Sequence, residues 1–329
     1  MKLYKLFLLF VLAVLAPGHT AQKVLLHPVV VDETNNVSQP TIPEVKPPKI
    51  VLLTIDGVRW QEIFNGTDPL LYKGNRLTAR ELLPNMYHYF VDNGMVIGRD
   101  SSFIASGPAH ISLPGYLEMM RGRPSLDCLS NDCSVNLGNT IVDTFEDAAV
   151  FGSWDYIGKT VSANPNKFVI NCGVKFRSTA WKQLGQADSP SIGQYFEPYY
   201  RPDFMTRKLA LDYLKIHQPD FFWVALGDTD EWAHVSNYGK YLEALINADS
   251  FINQIVTAPN FDQNTVVIVT ADHGRSNRWQ NHGWDSESAK LWLMIAGPRV
   301  SIKGFVKSDK IKSLSDISFI IHKLRDVNN

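Results

Sequence analysis

Residues 266–274 read V-V-I-V-T-A-D-H-G, and this stretch decides the fold that the sequence predicts. Its five consecutive β-branched residues are typical of a short strand buried on both faces, as in the interior of a parallel sheet. Asp272 and His273 then follow the end of the strand, where ligands and catalytic groups collect in open α/β sheets. A carboxylate beside an imidazole could hold a metal ion there, although an Asp-His pair before a glycine also occurs in ordinary turns.

Outward from this strand, apolar runs of strand length alternate with helical patterns. Further strands are predicted at residues 50–55, 96–104, 150–154, 221–226 and 291–296. Helices are predicted at residues 83–93, 112–120, 140–149, 206–217 and 241–255. The aromatic-rich residues 155–200 are predicted to form loops and short elements near a site entrance. The alternation predicts an α/β fold with a mostly parallel central sheet and helices on both faces.

The first part of the chain indicates export. Two lysines precede a wholly apolar run at residues 6–15, and small or polar residues follow, which predicts a secretory signal peptide at residues 1–21. An uncleaved anchor is the alternative, but the apolar run is short for a bilayer. The proline-rich residues 22–48 are predicted to be an extended leader, and residues 49–329 the folded domain. We therefore expect a periplasmic or secreted protein that has no membrane association after signal cleavage.

The composition and net charge of the chain limit the kinds of molecule that it is expected to bind. The chain has 329 residues with a formal net charge of -1, so it lacks the basic surplus typical of nucleic-acid-binding domains. We expect a small-molecule substrate and no nucleic-acid partner; the oligomeric state is left open. Cys128 and Cys133 enclose a short segment, which in an exported protein suits a disulfide-closed loop. Cys172 is then expected to be a buried thiol, and a cysteine-based zinc site is disfavoured.

Metal-binding and nucleophilic side chains follow several of the predicted strands. Because the carboxyl ends of parallel strands meet at one edge, these groups are expected to converge there and to hold two metal ions. The set comprises Asp56, Ser106, Asp230, His234, Asp272, His273 and His282.

Each of these side chains also has an ordinary structural interpretation. Asp56 precedes a glycine and could belong to a turn. Asp230 and His234 are four residues apart, so on a helix they would share one face, either as metal ligands or as a solvated polar surface. His282 could be an exposed loop residue. Ser106 could simply end a strand, and as a nucleophile it would need a base or a metal to lower its pKa.

Five short motifs in this order resemble those of the alkaline phosphatase superfamily, and within it the nucleotide pyrophosphatase/phosphodiesterase branch. The motifs are the strand-D-G segment at Asp56, a T-x-P-x-H segment matched by residues 106–110, the D-x-x-x-H pair Asp230 and His234, the D-H-G segment at residues 272–274, and the later His282. Asp316 and Ile317 resemble a D-I segment near the end of such domains. The resemblance covers roughly residues 49–324 and identifies residues 49–329 as an alkaline phosphatase-like catalytic domain.

The resemblance implies two zinc ions and a covalent mechanism. One zinc ion would be held by Asp230, His234 and His282. The other would be held by Asp56, Ser106, Asp272 and His273. Ser106 would attack the ester to give a phosphoserine intermediate, which hydroxide then cleaves, and Asn131 is the candidate for holding a phosphoryl oxygen.

The sequence departs from related patterns at two positions. Ser106 stands where the phosphodiesterase branch has threonine, and either residue offers a hydroxyl. The same segment resembles the sulfatase motif except that His110 replaces the arginine, which disfavours the sulfatase route; His110 is expected to support or pack rather than to ligate.

These observations predict an exported two-zinc hydrolase of phosphoric esters, with phosphodiesters slightly favoured over monoesters. The alternatives are a phosphomonoesterase, phosphonatase or sulfatase relative and, from another class, a catalytically inactive metal-binding protein. The hydroxyl retained beside an intact ligand set argues against the inactive protein.

Overall fold

The computed structural model describes residues 46–135, 137–186 and 196–326. The predicted signal peptide and residues 22–45 of the predicted leader lie outside the described residues, so these domain assignments stay predictions. Within the described ranges, no helix is both long enough and apolar enough to cross a membrane.

A nine-stranded sheet forms the centre of the described part of the chain. In spatial order the strands run β5-β4-β3-β6-β1-β7-β8-β2-β9. Neighbours from β4 to β7 in this order are parallel, and the β4–β5, β7–β8 and β8–β2 pairs are antiparallel. The strands are β1 (Lys49–Ile55), β2 (Met95–Ile97), β3 (Ala148–Gly152), β4 (Val169–Cys172), β5 (Phe176–Arg177), β6 (Phe221–Leu226), β7 (Thr265–Thr270), β8 (Leu293–Ala296) and β9 (Gly304–Phe305).

The helices that surround this sheet include several of only one turn. They are α1 (Trp60–Asn65), α2 (Ala79–Leu82), α3 (Pro84–Met86), α4 (Ser112–Arg121), α5 (Thr179–Gln183), α6 (Asp203–Leu214), α7 (Asp228–His234), α8 (Tyr238–Val256), α9 (Ser286–Ala289) and α10 (Ser315–Arg325). A π-helical turn at Tyr87–Val91 extends α3, and short 3-10 helices lie at Ile141–Thr144, Asp155–Thr160 and Pro165–Lys167. The predicted α/β fold with a mostly parallel central sheet is confirmed.

The three central strands position the site. All residues of β6 and β7 are buried, as are those of β1 after Lys49, as their continuous apolar sequences predict. Thr54 of β1 lies beside Ala225 of β6 and Thr270 of β7, so the three strands end at the same edge of the sheet. The residues that follow these strands therefore converge.

Two predicted elements differ from the structure. The helix predicted at residues 140–149 is wrong, because only Ile141–Thr144 form a 3-10 turn and β3 begins at Ala148, where pairing with β6 overrides the local helical pattern. The strand predicted at residues 96–104 ends at Ile97, because the chain turns through a positive φ of 105° at Gly98.

Candidate metal centre

One cluster of metal-ligating side chains follows β1 and β7. Asp56, Asp272 and His273 are buried, and their ligand atoms lie within 4.8 Å of one another. His273 Nε2 is 3.2 Å from Asp56 Oδ1 and 3.5 Å from Asp272 Oδ2. His273 Nδ1 is hydrogen-bonded to the carbonyl oxygen of Gly274 at 2.8 Å, which directs Nε2 toward the carboxylates.

The two carboxylates of this cluster fit a cation. Asp56 Oδ2 accepts a hydrogen bond from the Tyr116 hydroxyl, and Asp272 Oδ1 accepts one from the Gly57 N–H. Their other oxygens, Asp56 Oδ1 and Asp272 Oδ2, are buried without a hydrogen-bond partner among the described residues. Burial, followed by repulsion from neighbouring carboxylates, raises the pKa of both groups well above the usual range. A divalent ion between these oxygens would supply the missing positive charge.

A second cluster combines α7 with the loop before α9. Helical spacing puts Asp230 and His234 on one face, with His234 Nε2 2.9 Å from Asp230 Oδ2. His282 Nε2 lies 3.1 Å from His234 Nε2 and 3.7 Å from Asp230 Oδ1. The carbonyl oxygen of His110 lies 3.1 Å from His282 Nδ1, and the His110 ring is hydrogen-bonded to the backbone of Asp285. The contacts of His110 are therefore supporting ones, as expected from the sequence.

The two clusters adjoin each other. The His273 and His282 rings stack with centroids 3.9 Å apart. The buried guanidinium of Arg275 is hydrogen-bonded to Asp230. Burial would raise the pKa of Asp230, but the positive charge of Arg275 and the two nearby imidazoles outweigh burial and lower it well below its usual range. Burial and His273 lower the pKa of His282, whereas Asp230 raises that of His234.

Six of the seven predicted ligands thus meet in the two groups that the family resemblance implied. Ser106 does not join them, which corrects its assignment. Its hydroxyl donates to Glu118 Oε1 at 2.6 Å and lies 3.3 Å from the Ser315 hydroxyl. Glu118 is buried and also accepts the N–H groups of Ser106 and Gly107, so it holds this segment away from the clusters.

Ser112 is a second serine hydroxyl, and it lies beside the first cluster. Its hydroxyl oxygen lies 3.3 Å from His273 Nε2, and the residue is buried and begins the ten-residue helix α4. Gly115 makes this approach possible, because a Cβ there would lie 2.3 Å from the carbonyl oxygen of Asp272. Sequence matching missed Ser112 because a similar Ser-x-Pro pattern begins six residues earlier, at Ser106. The usable signal was the Ser-Leu-Pro-Gly run at the start of a predicted helix.

Asn131 lies on the wall of the same site. Its Oδ1 accepts the N–H of Leu113 at 3.0 Å, which fixes it beside the start of α4. The disulfide between Cys128 and Cys133, predicted from the sequence, is present and closes the loop that carries Asn131. Cys172 is a buried free thiol, also as predicted.

The clusters open into a cavity of about 480 Å³. Its lining includes Asp56, Ser112, Asp230, His234 and His282 together with Asn131. Most of its other lining residues are aromatic or acidic, namely Asp132, Trp154, Tyr156, Phe196, Glu197, Tyr199, Tyr200 and Glu231. A small ester could therefore reach both clusters and Ser112 at once.

Comparison with known proteins agrees with this geometry. A family model described as Metalloenzyme superfamily matches residues 187–321, which include every clustered side chain except Asp56. A search of curated proteins gave no match.

Solved structures share the fold at low sequence identity. A protein in complex with its substrate D-glucosamine-2-N,6-O-disulfate is 14% identical with a TM-score of 0.57, covering 86% of this chain and 77% of that one. A 2-O GAG sulfatase is 12% identical with a TM-score of 0.55, covering 85% of this chain and 71% of that one. Alkaline phosphatase from the Antarctic bacterium TAB5 is 14% identical with a TM-score of 0.50, covering 87% of this chain and 100% of that one.

At this level of identity the solved structures show a shared fold, and the Metalloenzyme superfamily model matches less than half of the chain. The family-model match and the two side-chain groups together indicate a site for divalent metal ions. The phosphodiesterase branch that the sequence resembles is a finer assignment and stays a prediction.

Proposed function

We propose that this protein is an exported two-zinc hydrolase of phosphoric esters, slightly favouring phosphodiesters, and that Ser112 is its nucleophile. The observation that carries the proposal is the convergence of Ser112 Oγ, Asp56 Oδ1 and Asp272 Oδ2 on His273 Nε2, at 3.2 to 3.5 Å. A hydroxyl beside unpaired buried carboxylate oxygens suits a nucleophile activated by a cation. The disulfide at Cys128 and Cys133 supports export, because such bonds persist in oxidising compartments.

The donor set fits zinc. Each group offers carboxylate oxygen and imidazole nitrogen, both of which bind zinc. Asp230, His234 and His282 would hold one ion, and Asp56, Asp272 and His273 the other, with Ser112 beside the latter. When bound, two such ions supply positive charge that lowers the pKa of a serine hydroxyl and stabilises the attacking and leaving oxygens.

The side chains of the protein would position the nucleophile and the phosphoryl group for the reaction. The Ser112 oxygen would form a bond to phosphorus while the bond from phosphorus to the ester alcohol breaks, and the alcohol leaves with the serine proton. Water then cleaves the phosphoserine bond, which restores the hydroxyl and releases phosphate or a phosphomonoester. The start of α4 favours negative charge developing at this oxygen. Asn131 Nδ2, which has no acceptor among the described residues, would donate to a phosphoryl oxygen.

Two serine variants test this function directly. Zinc-loaded wild type, Ser112→Ala and the matched control Ser106→Ala should be assayed with aryl phosphate diesters and monoesters, an aryl phosphonate and an aryl sulfate. We expect wild type to turn over phosphoric esters, diesters somewhat faster. Loss of Ser112 should lower kcat at least about 1000-fold, because no other hydroxyl stands beside His273 in the described structure. Ser106→Ala should retain most activity, since its hydroxyl contacts Glu118.

Other outcomes would support the alternatives. Equal turnover by Ser112→Ala would remove the covalent mechanism, and preference for the aryl sulfate or phosphonate would reassign the substrate. Absence of turnover of all four substrates by the zinc-loaded protein would favour a metal-binding protein without catalysis. Acid quenching during turnover, followed by intact mass measurement, should detect a phosphorylated protein in wild type and not in Ser112→Ala.

A further inference from the structure

A small apolar cluster, separate from the main core, joins α4 to the disulfide loop, residues 128–133. Its buried members are Leu113, Leu117, Cys128 and Leu137, and the half-buried Cys133 packs against them. Leu113 and Leu117 lie four residues apart in α4, so they share one face of that helix. The disulfide is therefore part of the same cluster as the face of α4 that follows Ser112.

The disulfide loop has few other attachments. Three of the four residues that it encloses are exposed. The N–H groups of Asp132 and Cys133 donate locally to Ser130, at 3.3 and 3.4 Å. Within the described ranges, the hydrogen bond that leads from residues 129–132 to another element is the one from the Leu113 N–H to Asn131 Oδ1, at 3.0 Å. The disulfide and this hydrogen bond together hold Asn131 in place.

Asn131 is attached directly beside Ser112. Leu113 provides both the N–H group that Asn131 accepts and a side chain in the apolar cluster. The preceding residue, Ser112, has its hydroxyl oxygen 3.3 Å from His273 Nε2. Because Oδ1 of Asn131 accepts the Leu113 N–H, its Nδ2 is the atom left to donate into the cavity that Asn131 lines. One hydrogen bond therefore relates the position of this donor to that of the Ser112 hydroxyl.

We propose that the disulfide between Cys128 and Cys133 is a positioning element of the reaction, which keeps Asn131 against the start of α4 at a fixed spacing from Ser112. This inference rests on the proposed function and concerns a bond that does not itself touch the substrate. Without the bond, residues 129–132 gain conformational freedom, and the Asn131 amide is less often oriented to donate to a phosphoryl oxygen. The main core is a separate cluster, so the fold should persist without the bond.

Reduction opens the loop without removing any side-chain atom. A water-soluble trialkylphosphine supplies two electrons to the S–S bond, which breaks to give two thiols. The phosphine becomes its oxide with the oxygen of water, and the protons of that water go to the two sulfurs. A phosphine is preferred to a dithiol, because thiolates bind zinc. Alkylation followed by intact mass measurement should show two labels on the reduced folded protein, since Cys172 is buried.

A double variant opens the loop independently of reductant. Cys128→Ala/Cys133→Ala keeps small apolar side chains in the cluster, and we expect it to behave as the reduced wild type does. The phosphine should not change its activity further, which controls for other effects of the reagent. Zinc content and circular dichroism should be the same for open and closed loops.

A thermodynamic cycle tests whether the disulfide acts through Asn131. With zinc-loaded protein and an aryl phosphate ester, Asn131→Ala should lower kcat/KM about 100-fold, and opening the loop should lower it about tenfold. In the Asn131→Ala background, opening the loop should lower kcat/KM by less than about twofold. A purely structural role would lower kcat/KM by the same factor in both backgrounds. Asn139→Ala, at an exposed position beyond the loop, is the matched control and should leave the effect of opening unchanged.

Phosphate binding provides a readout that does not need turnover. Zinc-loaded Ser112→Ala should be titrated with inorganic phosphate by calorimetry, with the loop closed and open. We expect opening to raise the Kd for phosphate about tenfold, because a donor to a phosphoryl oxygen is displaced. The Kd of Ser112→Ala/Asn131→Ala should not respond to opening.

The outcomes separate the inference from the function beneath it. Equal kcat/KM and equal phosphate affinity for open and closed loops would overturn the positioning role while leaving the hydrolase intact. The same follows if opening has equal effects with and without Asn131, or if opening releases zinc or unfolds the protein. If oxidised, zinc-loaded wild type turns over no phosphoric ester, the proposed function fails, and the inference fails with it.

Discussion

At the scale of single residues, the buried carboxylate of Asp272 is the clearest indication of a bound cation. Its Oδ2 is fully buried and lacks a hydrogen-bond donor, an arrangement that costs free energy unless a cation is present. We therefore predict that Asp272→Asn lowers the zinc content from two ions per chain to about one, because an amide is a poor zinc ligand. Elemental analysis of dialysed protein measures this. Asp92→Asn, at an exposed position, is the control, and two ions retained by Asp272→Asn would contradict the assignment.

Arg275 is a buried cation that links Asp230 to the loop of the second cluster. Its guanidinium is hydrogen-bonded to Asp230 and to the carbonyl oxygens of Trp279 and Gln280, just before His282. Arg275→Met would leave these acceptors buried and without this donor. We predict a loss of about 3–5 kcal/mol in the free energy of unfolding of the zinc-free protein.

Urea unfolding of Arg275→Met measures that loss. The control is Arg278→Met, an exposed residue of the same loop, which should change stability by less than about 0.5 kcal/mol. If the two variants unfold at the same urea concentration, the proposed role of Arg275 is wrong.

At the scale of elements, the close packing of α4 against the end of β7 places the hydroxyl of Ser112. Gly115 allows this packing, since a Cβ at that position would lie 2.3 Å from the carbonyl oxygen of Asp272. Gly115→Ala should therefore shift α4 outward and lower kcat about 100-fold, because displacements near 1 Å have effects of this size. Zinc content should change less than activity.

The control for this variant is Gly239→Ala in α8. A Cβ there would meet only Asn237 Oδ1 at 3.8 Å, an ordinary contact. We expect wild-type turnover from Gly239→Ala. Unchanged turnover by Gly115→Ala would mean that the position of α4 does not govern the reaction.

Helix α7 has only seven residues, so tertiary contacts must hold its two ligands in place. The buried carboxylate of Asp203 accepts the N–H groups of Gly227 and Asp228 at 2.8 and 3.0 Å. The Thr229 hydroxyl donates to the carbonyl oxygen of Asp56 at 2.5 Å. These hydrogen bonds connect the start of α7 to α6 and to the residue that follows β1. They therefore fix the position of the second cluster relative to the first.

At the scale of the whole molecule, the reactivity of the three cysteines distinguishes folded from unfolded protein. Cys172 is fully buried, and burial raises the pKa of its thiol to about 12, while Cys128 and Cys133 are joined. We predict no alkylation of native protein at pH 8, one labelled thiol after unfolding, and three after unfolding with reductant. Intact mass measurement counts the labels. Labelling of native protein, or three labels without reductant, would contradict this arrangement.

Much of the fold was predictable because its signals are local. The runs that form β1, β6 and β7 are mostly apolar, and their boundaries were predicted to within about one residue. β4 was harder to predict, because it lies within residues 155–200, which were predicted as loops and short elements, and β3 begins two residues before the predicted strand at 150–154. They become strands by pairing in the sheet, a long-range effect that a local pattern does not contain.

The sequence by itself determined which strand ends carry acidic and imidazole groups, and parallel strands must bring such ends to one edge. The grouping of Asp56 with Asp272 and of Asp230 with His282 was implied by the family resemblance, and the structure brings the same residues together. Only the tertiary structure shows which of the two serines lies beside the first cluster. The Ser106 hydroxyl is hydrogen-bonded to Glu118, whereas the packing of α4 against Asp272 places the Ser112 hydroxyl beside His273. The contact that delivers Ser112 joins residues more than 150 positions apart, so no local sequence pattern could distinguish the two hydroxyls.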